Sequence, residues 1–315
     1  MKKLIPIIIA LIAIGMDASA QTGYVQQYFA TPLLVNPAMT GLIPTDYRAA
    51  AHTRPSLYPY LSFEGNFSFD MSVLQGKLSK KNGLGIGFVT NYYHYPYGHS
   101  GSTVGLSAAY HRALDNRGDH IISVGGQGFF NKAKRDYAFD SYTFSVARYN
   151  TGIMYSGNVS RRLSLYAGYS IYSINRPTLY FPGGAFTPPF QSQLHAGGSF
   201  SLVDDIMLHA NLFYARQDPY GQTAIGAHMS FPLNFKKQGS KALLYIGARY
   251  WHSFAVAPYM GIEWKRSKIG FSYDTYISDG WEISNENAFE LSYIYSGMFT
   301  KAKRASLTSR AIIIR

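Results

Sequence analysis

The side chains able to do chemistry in this chain are few, and their scarcity limits what they can do. Only 15% of the 315 residues are charged. Five carboxylates nevertheless fall inside apolar or small-residue stretches: Glu64, Asp70, Glu263, Asp274 and Glu290. Large apolar residues recur at every second position around them, and Glu64, Asp70, Asp274 and Glu290 take the intervening positions. A carboxylate so placed needs a cation or donors, because an unpaired charge away from water is costly. Arg48, Arg249 and Lys268 are the expected partners. The chemistry this predicts is ion pairing across an enclosed lumen, or a charged lining for a conduit or plug.

Catalytic and cofactor patterns are weak by comparison. The nine histidines have no metal-ligand spacing, and no cofactor is expected. His195, His209 and His252 fall in strand-like segments, as lumen or interface histidines with local partners. Gly83–Gly87 reads GLGIG but lacks the lysine and helix of a phosphate loop; small residues packing a wall account for it. No G-x-S-x-G elbow supports a hydrolase, so no enzymatic role is expected.

The elements that must position these residues show a period of two. In Leu61–Met71 (LSFEGNFSFDM), Leu61, Phe63, Phe67, Phe69 and Met71 share one face, while Ser62, Glu64, Asn66, Ser68 and Asp70 share the other. One face suits hydrocarbon and the other a polar interior. The same alternation recurs over residues 83–93, 102–113, 165–173, 193–202, 206–215, 223–231, 242–252, 255–265, 268–278 and 287–297, with weaker segments at 47–52, 120–131 and 151–159. Turn residues such as Asp115-Asn116-Arg117-Gly118 separate them. The prediction is an all-β fold: an antiparallel transmembrane outer-membrane barrel of about fourteen strands, with twelve to sixteen as the range. Longer connections are expected at 91–102, 136–150, 175–192 and 278–287.

Composition agrees with this. The chain carries 27 Tyr, 20 Phe and 30 Gly, and no cysteine. A disulfide framework and thiolate metal sites are thereby excluded. Lys2 and Lys3, the apolar run Leu4–Gly15 and Ala18-Ser19-Ala20 read as a cleaved export signal over residues 1–20. The net charge of +12 is spread along the chain without an aromatic-basic recognition motif. It predicts contact with anionic outer-membrane lipid or acidic partners and no nucleic acid. Residues 298–315, with Lys301, Lys303, Arg304, Arg310 and Arg315, form a basic tail, either a disordered periplasmic extension or a docking peptide.

Between leader and first strand, residues 21–46 form a short N-terminal periplasmic segment of another kind. Gln26–Leu42 reads QQYFATPLLVNPAMTGL. Asn36 can cap a helical turn begun by Pro37, and Gly41 can close it in a left-handed conformation. Pro32 is expected to keep the preceding chain extended, leaving Leu33-Leu34-Val35 as an apolar strip. The strip either plugs the barrel or docks outside it, the first being favoured.

Gln27-Tyr28-Phe29, Pro32-Leu33, Asn36-Pro37-Ala38 and Gly41 resemble the signature that follows the signal peptide in the PorP/SprF family of type IX secretion outer-membrane proteins. Further segments resemble that family in order and spacing: Gly83-Leu84-Gly85, Ala109-Tyr110-His111, Gly168-Tyr169-Ser170 leading to Asn175-Arg176-Pro177, Leu194–Gly197, Gly247–Tyr250, Ile269–Asp274 and Ala288-Phe289-Glu290. Asn175 and Pro177 mark a family-like loop. Met39 and Ser173 depart from the pattern, and the basic tail lies outside it. The resemblance implies a barrel over residues 47–297 in the outer membrane of a Gram-negative, Bacteroidota-like cell. It further implies a role in secretion or surface display of adhesin or gliding-motility proteins. The implied partners are other type IX components, the C-terminal sorting domain of a cargo protein, or both. A passive or hydrophobic-solute channel is the alternative reading.

Overall fold

The computed structural model describes residues 27–56, 62–73, 81–95, 98–137, 140–181, 184–203, 205–234, 241–252, 255–276 and 288–299. The export signal, the loop over 278–287 and the basic tail beyond residue 299 lie outside the described residues.

Fourteen antiparallel strands close into a barrel. In chain order they are β1 (Tyr47–Ser56), β2 (Ser62–Ser72), β3 (Asn82–Tyr95), β4 (His99–Ala113), β5 (His120–Tyr137), β6 (Asp140–Asn158) and β7 (Leu163–Tyr172). After a hairpin of β8 (Leu179–Phe181) and β9 (Gly184–Phe186), which pair only with each other, the wall resumes. Its second half is β10 (Gln191–Val203), β11 (Ile206–Gln217), β12 (Tyr220–Asn234), β13 (Lys241–Trp251), β14 (Ala255–Trp264), β15 (Ser267–Tyr276) and β16 (Ala288–Gly297). The barrel closes where β16 meets β1, with Tyr47 opposite Gly297. Each of the fourteen wall strands overlaps one segment of the period-two reading, and several run beyond it.

Alternation sets each side chain's surroundings. In β4, Val104, Leu106 and Tyr110 point outward and are exposed, while Thr103, Ser107 and His111 point inward and are buried. Among the described residues no helix is long and apolar enough to cross a membrane; strands do the crossing.

Two expected connections are strand instead. Asn91–Tyr95 continues β3, and His99–Ser102 begins β4. Asp136 and Tyr137 end β5, and residues 140–150 belong to β6. The reason is chemical: in SYTFSVAR (141–148) the outward positions are Ser141, Thr143, Ser145 and Ala147. A strand without a greasy outer face gives no lipid-facing signal, yet the β5 ladder still holds it.

Candidate functional site

The lumen is crossed by the N-terminal segment. It comprises a 3-10 turn at Tyr28–Ala30, a one-turn helix α1 (Pro32–Val35) and a second 3-10 turn at Pro37–Met39. Leu33–Val35 is therefore helical, which corrects the extended strip expected from sequence. Pro32 at the first helical position presets φ for the turn, and only Thr31 before it is held out of the helical region (φ −126°).

So short a helix cannot satisfy its own backbone. Its single bond of the i→i−4 kind runs from Asn36 N to the Pro32 carbonyl (3.0 Å), which leaves the next three carbonyls without intrahelical donors. The wall supplies them. Gln127 Nε2 donates to Leu33 O (3.1 Å), Tyr172 Oη to Leu34 O (2.9 Å) and Ser170 Oγ to Val35 O (2.8 Å). Those three residues come from β5 and β7; of them only Ser170 was named from sequence, in the family-like stretch Gly168-Tyr169-Ser170, and without this role.

Asn36 is the hub. Its Oδ1 caps the second turn by accepting from Ala38 N (2.9 Å). Its Nδ2 faces the carbonyls of Ile153 (3.1 Å) and Tyr169 (3.4 Å) and His195 Nε2 (3.0 Å). Because Nδ2 only donates, His195 Nε2 must accept, which places the ring proton on Nδ1. By the same logic His111 Nε2 donates to Thr40 O (2.8 Å), and its Nδ1 accepts from Ser123 Oγ (2.8 Å). Gly41 adopts φ +69°, and its N–H donates to Asp70 Oδ2 (2.8 Å).

At the other end, Gln27 grips the closing strands. Its backbone N–H donates to Glu290 Oε2 (2.8 Å), and its side chain bonds Ser272, Ser292 and the Glu290 carbonyl. Tyr28 Oη meets Tyr166 Oη at 3.2 Å. Tyr28, Val35, Ala38, Met39 and Leu42 pack with Ile121, Met154 and Tyr166. The segment is thus held by polar groups over its backbone and apolar ones over its side chains.

Glycines leave room for it. A Cβ on Gly85 would overlap the Thr40 carbonyl, one on Gly125 the Pro37 backbone, and one on Gly152 the Asn36 side chain. Gly87 faces Leu33 Cδ2 in the same way, at 2.7 Å from an added Cβ. The GLGIG run is therefore part of a seat for the segment, beyond simple wall packing.

The charged residues face inward but pair differently from the expectation. Arg48 makes a two-point bond with Asp70, Nε to Oδ1 at 2.9 Å and Nη2 to Oδ2 at 2.8 Å. Asp274 is met by Arg54 (3.1 Å), and Glu290 by His52 (3.1 Å) and Arg54 (3.6 Å). Arg54 and His52, which were not among the expected partners, supply these contacts. Arg249 instead donates to Asn211 (2.9 Å) and lies over the Tyr28 ring, 4.1 Å from its centroid. Lys268 Nζ lies 3.9 Å from the Tyr245 centroid and 4.8 Å from that of Phe29. Both cations therefore address the segment's aromatics. Glu64 accepts from Asn91 Nδ2 (3.1 Å). Asn175 and Pro177 stand apart, in the loop after β7.

Asn36→Ala should destabilise the seated segment by about 3 kcal/mol, from the lost cap and orphaned buried groups. Asn36→Asp should be worse, since an oxygen then faces the Ile153 and Tyr169 carbonyls. Limited proteolysis and hydrogen exchange of residues 27–43 would read both; equal protection in the two variants would refute the donor role of Nδ2.

Among the described residues no cluster of histidine and carboxylate side chains is arranged to hold a metal. No curated protein matches the sequence. The toluene transporter TbuX of Ralstonia pickettii is similar in structure, with a TM-score of 0.52 at 10% identity, covering 90% of this chain and 97% of that one. The Pseudomonas putida toluene transporter TodX is similar too, with a TM-score of 0.54 at 9% identity over 90% and 95% of the two chains. At such identities the likeness is one of fold, that of an outer-membrane barrel. The sequence itself matches the family described as type IX secretion system membrane protein PorP/SprF over residues 18–295. With the N-terminal segment and all but the last two residues of the barrel inside that span, the chain belongs to the PorP/SprF family of type IX secretion membrane proteins.

Proposed function

We propose that this outer-membrane barrel serves type IX secretion by binding partner proteins, with its own lumen kept closed. The observation that carries the reading is the N-terminal segment, whose carbonyls, side chains and turns are matched one by one to donors, acceptors and glycines of the wall. Such a match favours a filled interior over an open pore. Substrate proteins are then translocated elsewhere in the system, and this barrel holds a secreted protein's sorting domain, another component of the machinery, or both. Adhesin or motility proteins are the cargo class proposed. The export signal would be cleaved near Gln21, the chain ends would face the periplasm, and no catalytic step is assigned.

Deleting the gene and quantifying surface and released proteins tests the reading. The expected result is loss from the surface of proteins bearing type IX sorting domains, with other outer-membrane proteins unchanged. An unaltered surface would overturn it. The competing channel reading draws on the fold shared with the toluene transporters and predicts solute-selective conductance of the intact chain in planar bilayers.

A further inference from the structure

The barrel wall is uneven in height. β5 and β6 have 18 and 19 residues, whereas β7, which follows them, has 10. β7 pairs only with Thr151–Asn158 of β6. Residues 140–150 of β6 therefore have β5 on one side and a gap in the ladder on the other.

In an antiparallel ladder each residue turns its N–H and C=O to the same side, and the side alternates along the strand. Tyr149 N–H donates to Asn175 Oδ1 (3.1 Å), Asn175 Nδ2 donates to Ala147 O (2.9 Å), and Ile174 N–H donates to Tyr149 O (2.9 Å). Odd-numbered residues thus face the gap, and the Asn175 amide fills one rung as a strand's peptide group would. Beyond it, the backbone groups of Ser141, Thr143 and Ser145 have no partner across the gap among the described residues. β8 passes close to β6 but pairs only with β9.

On the lumen side of this gap lies a cavity of about 120 Å³, bordered by Asn131, Arg148, Asn150, Tyr172 and Ser173 and reaching Leu34 of the N-terminal segment. Arg148 Nε donates to Asn131 Oδ1 (2.7 Å), and among the described residues no carboxylate pairs with this guanidinium. Lys132, Lys134 and Arg135 stand exposed on the same hairpin. An open strand edge is a template for another strand, and a guanidinium fork selects a carboxylate.

We propose that the β6 edge at Ser141–Ser145 receives an extended acidic segment of a partner protein as an added strand, with one of its carboxylates reaching Arg148. The proposal rests on the partner-binding reading above and gives it a location and a chemistry. Thr143→Pro removes an N–H that faces the gap and leaves the N–H groups of the β5–β6 ladder in place. Arg148→Glu reverses the charge in the cavity.

The test uses the full chain in detergent and a fluorescent peptide alternating glutamate with valine and threonine, beside its lysine-for-glutamate version. The acidic peptide should bind at least about tenfold more tightly, and each variant should weaken it about tenfold. Unchanged heat-modifiability on gels certifies that the variant barrels are folded. Absent binding, equal binding of the two peptides, or indifference to Thr143→Pro overturns the proposal. A Thr143→Pro strain compared with the deletion strain separates the two readings. Normal surface display in the first with loss in the second removes the edge site and leaves partner binding standing. An unaltered surface in both removes partner binding, and the peptide result still decides the edge.

Discussion

Asp70→Ala should lower the stability of the folded barrel by about 3–5 kcal/mol, the cost of leaving a buried charge without its partner. Asp70 is fully buried and Arg48 nearly so, at 0% and 8% exposure. The carboxylate also receives the Gly41 N–H, so its removal strands two groups, one of them charged. The double variant Arg48→Met with Asp70→Leu should recover most of the loss, because neither charge is then buried. It should not recover protection of the N-terminal segment, since Gly41 still lacks an acceptor. Urea unfolding in micelles reads the first effect and hydrogen exchange the second. A double variant as unstable as Asp70→Ala would show that the pair acts by shape and not by charge.

Removing residues 27–43 should convert a silent barrel into a conducting one. Barrels of eight strands are filled by their own side chains, and those of sixteen or more enclose an aqueous channel. Fourteen strands lie between these limits, so the segment decides whether the lumen is open. Discrete current steps in planar bilayers are expected from the truncated chain, and a quiet baseline from the intact one. Gly125→Val and Gly152→Val should approach the truncated behaviour without shortening the chain. Their added carbons meet the Pro37 backbone and the Asn36 side chain, while a β-branched residue suits the strands themselves. Silence from all three variants would mean that wall side chains alone close the lumen.

The wall was legible in the sequence because lipid imposes an apolar residue at every second position, a requirement each strand states locally. Where β5 and β6 outgrow their neighbours that requirement lapses, and Ser141, Thr143 and Ser145 read as loop. The turns of the segment were legible in part for the same local reason: Asn36, Pro37 and Gly41 each act within a few residues. Its partners were not. His111, Gln127, Ser170 and Tyr172 lie 71 to 138 positions from the groups they bind, and no local pattern marks a serine destined for a particular carbonyl. The inward glycines at 85, 87, 125 and 152 were the available signal. Glycine weakens a strand, and its recurrence on one face of several strands implies something close against that face.

Gln27 has a consequence for how the molecule is made. It binds Glu290 and Ser292 on the last strand, and Glu290 is in turn held by His52 and Arg54 of the first. The Gln27–Glu290 separation of 263 positions places this bond among the slowest kinds of contact to form. It needs β1 and β16 already in register, because a slip of one residue would turn Glu290 outward. Seating of the leading segment therefore follows closure of the final seam and braces it. A chain that reaches the membrane with its leading residues damaged would still close its barrel, but over a seam without this brace, so that wear on the wall would accompany any loss in secretion.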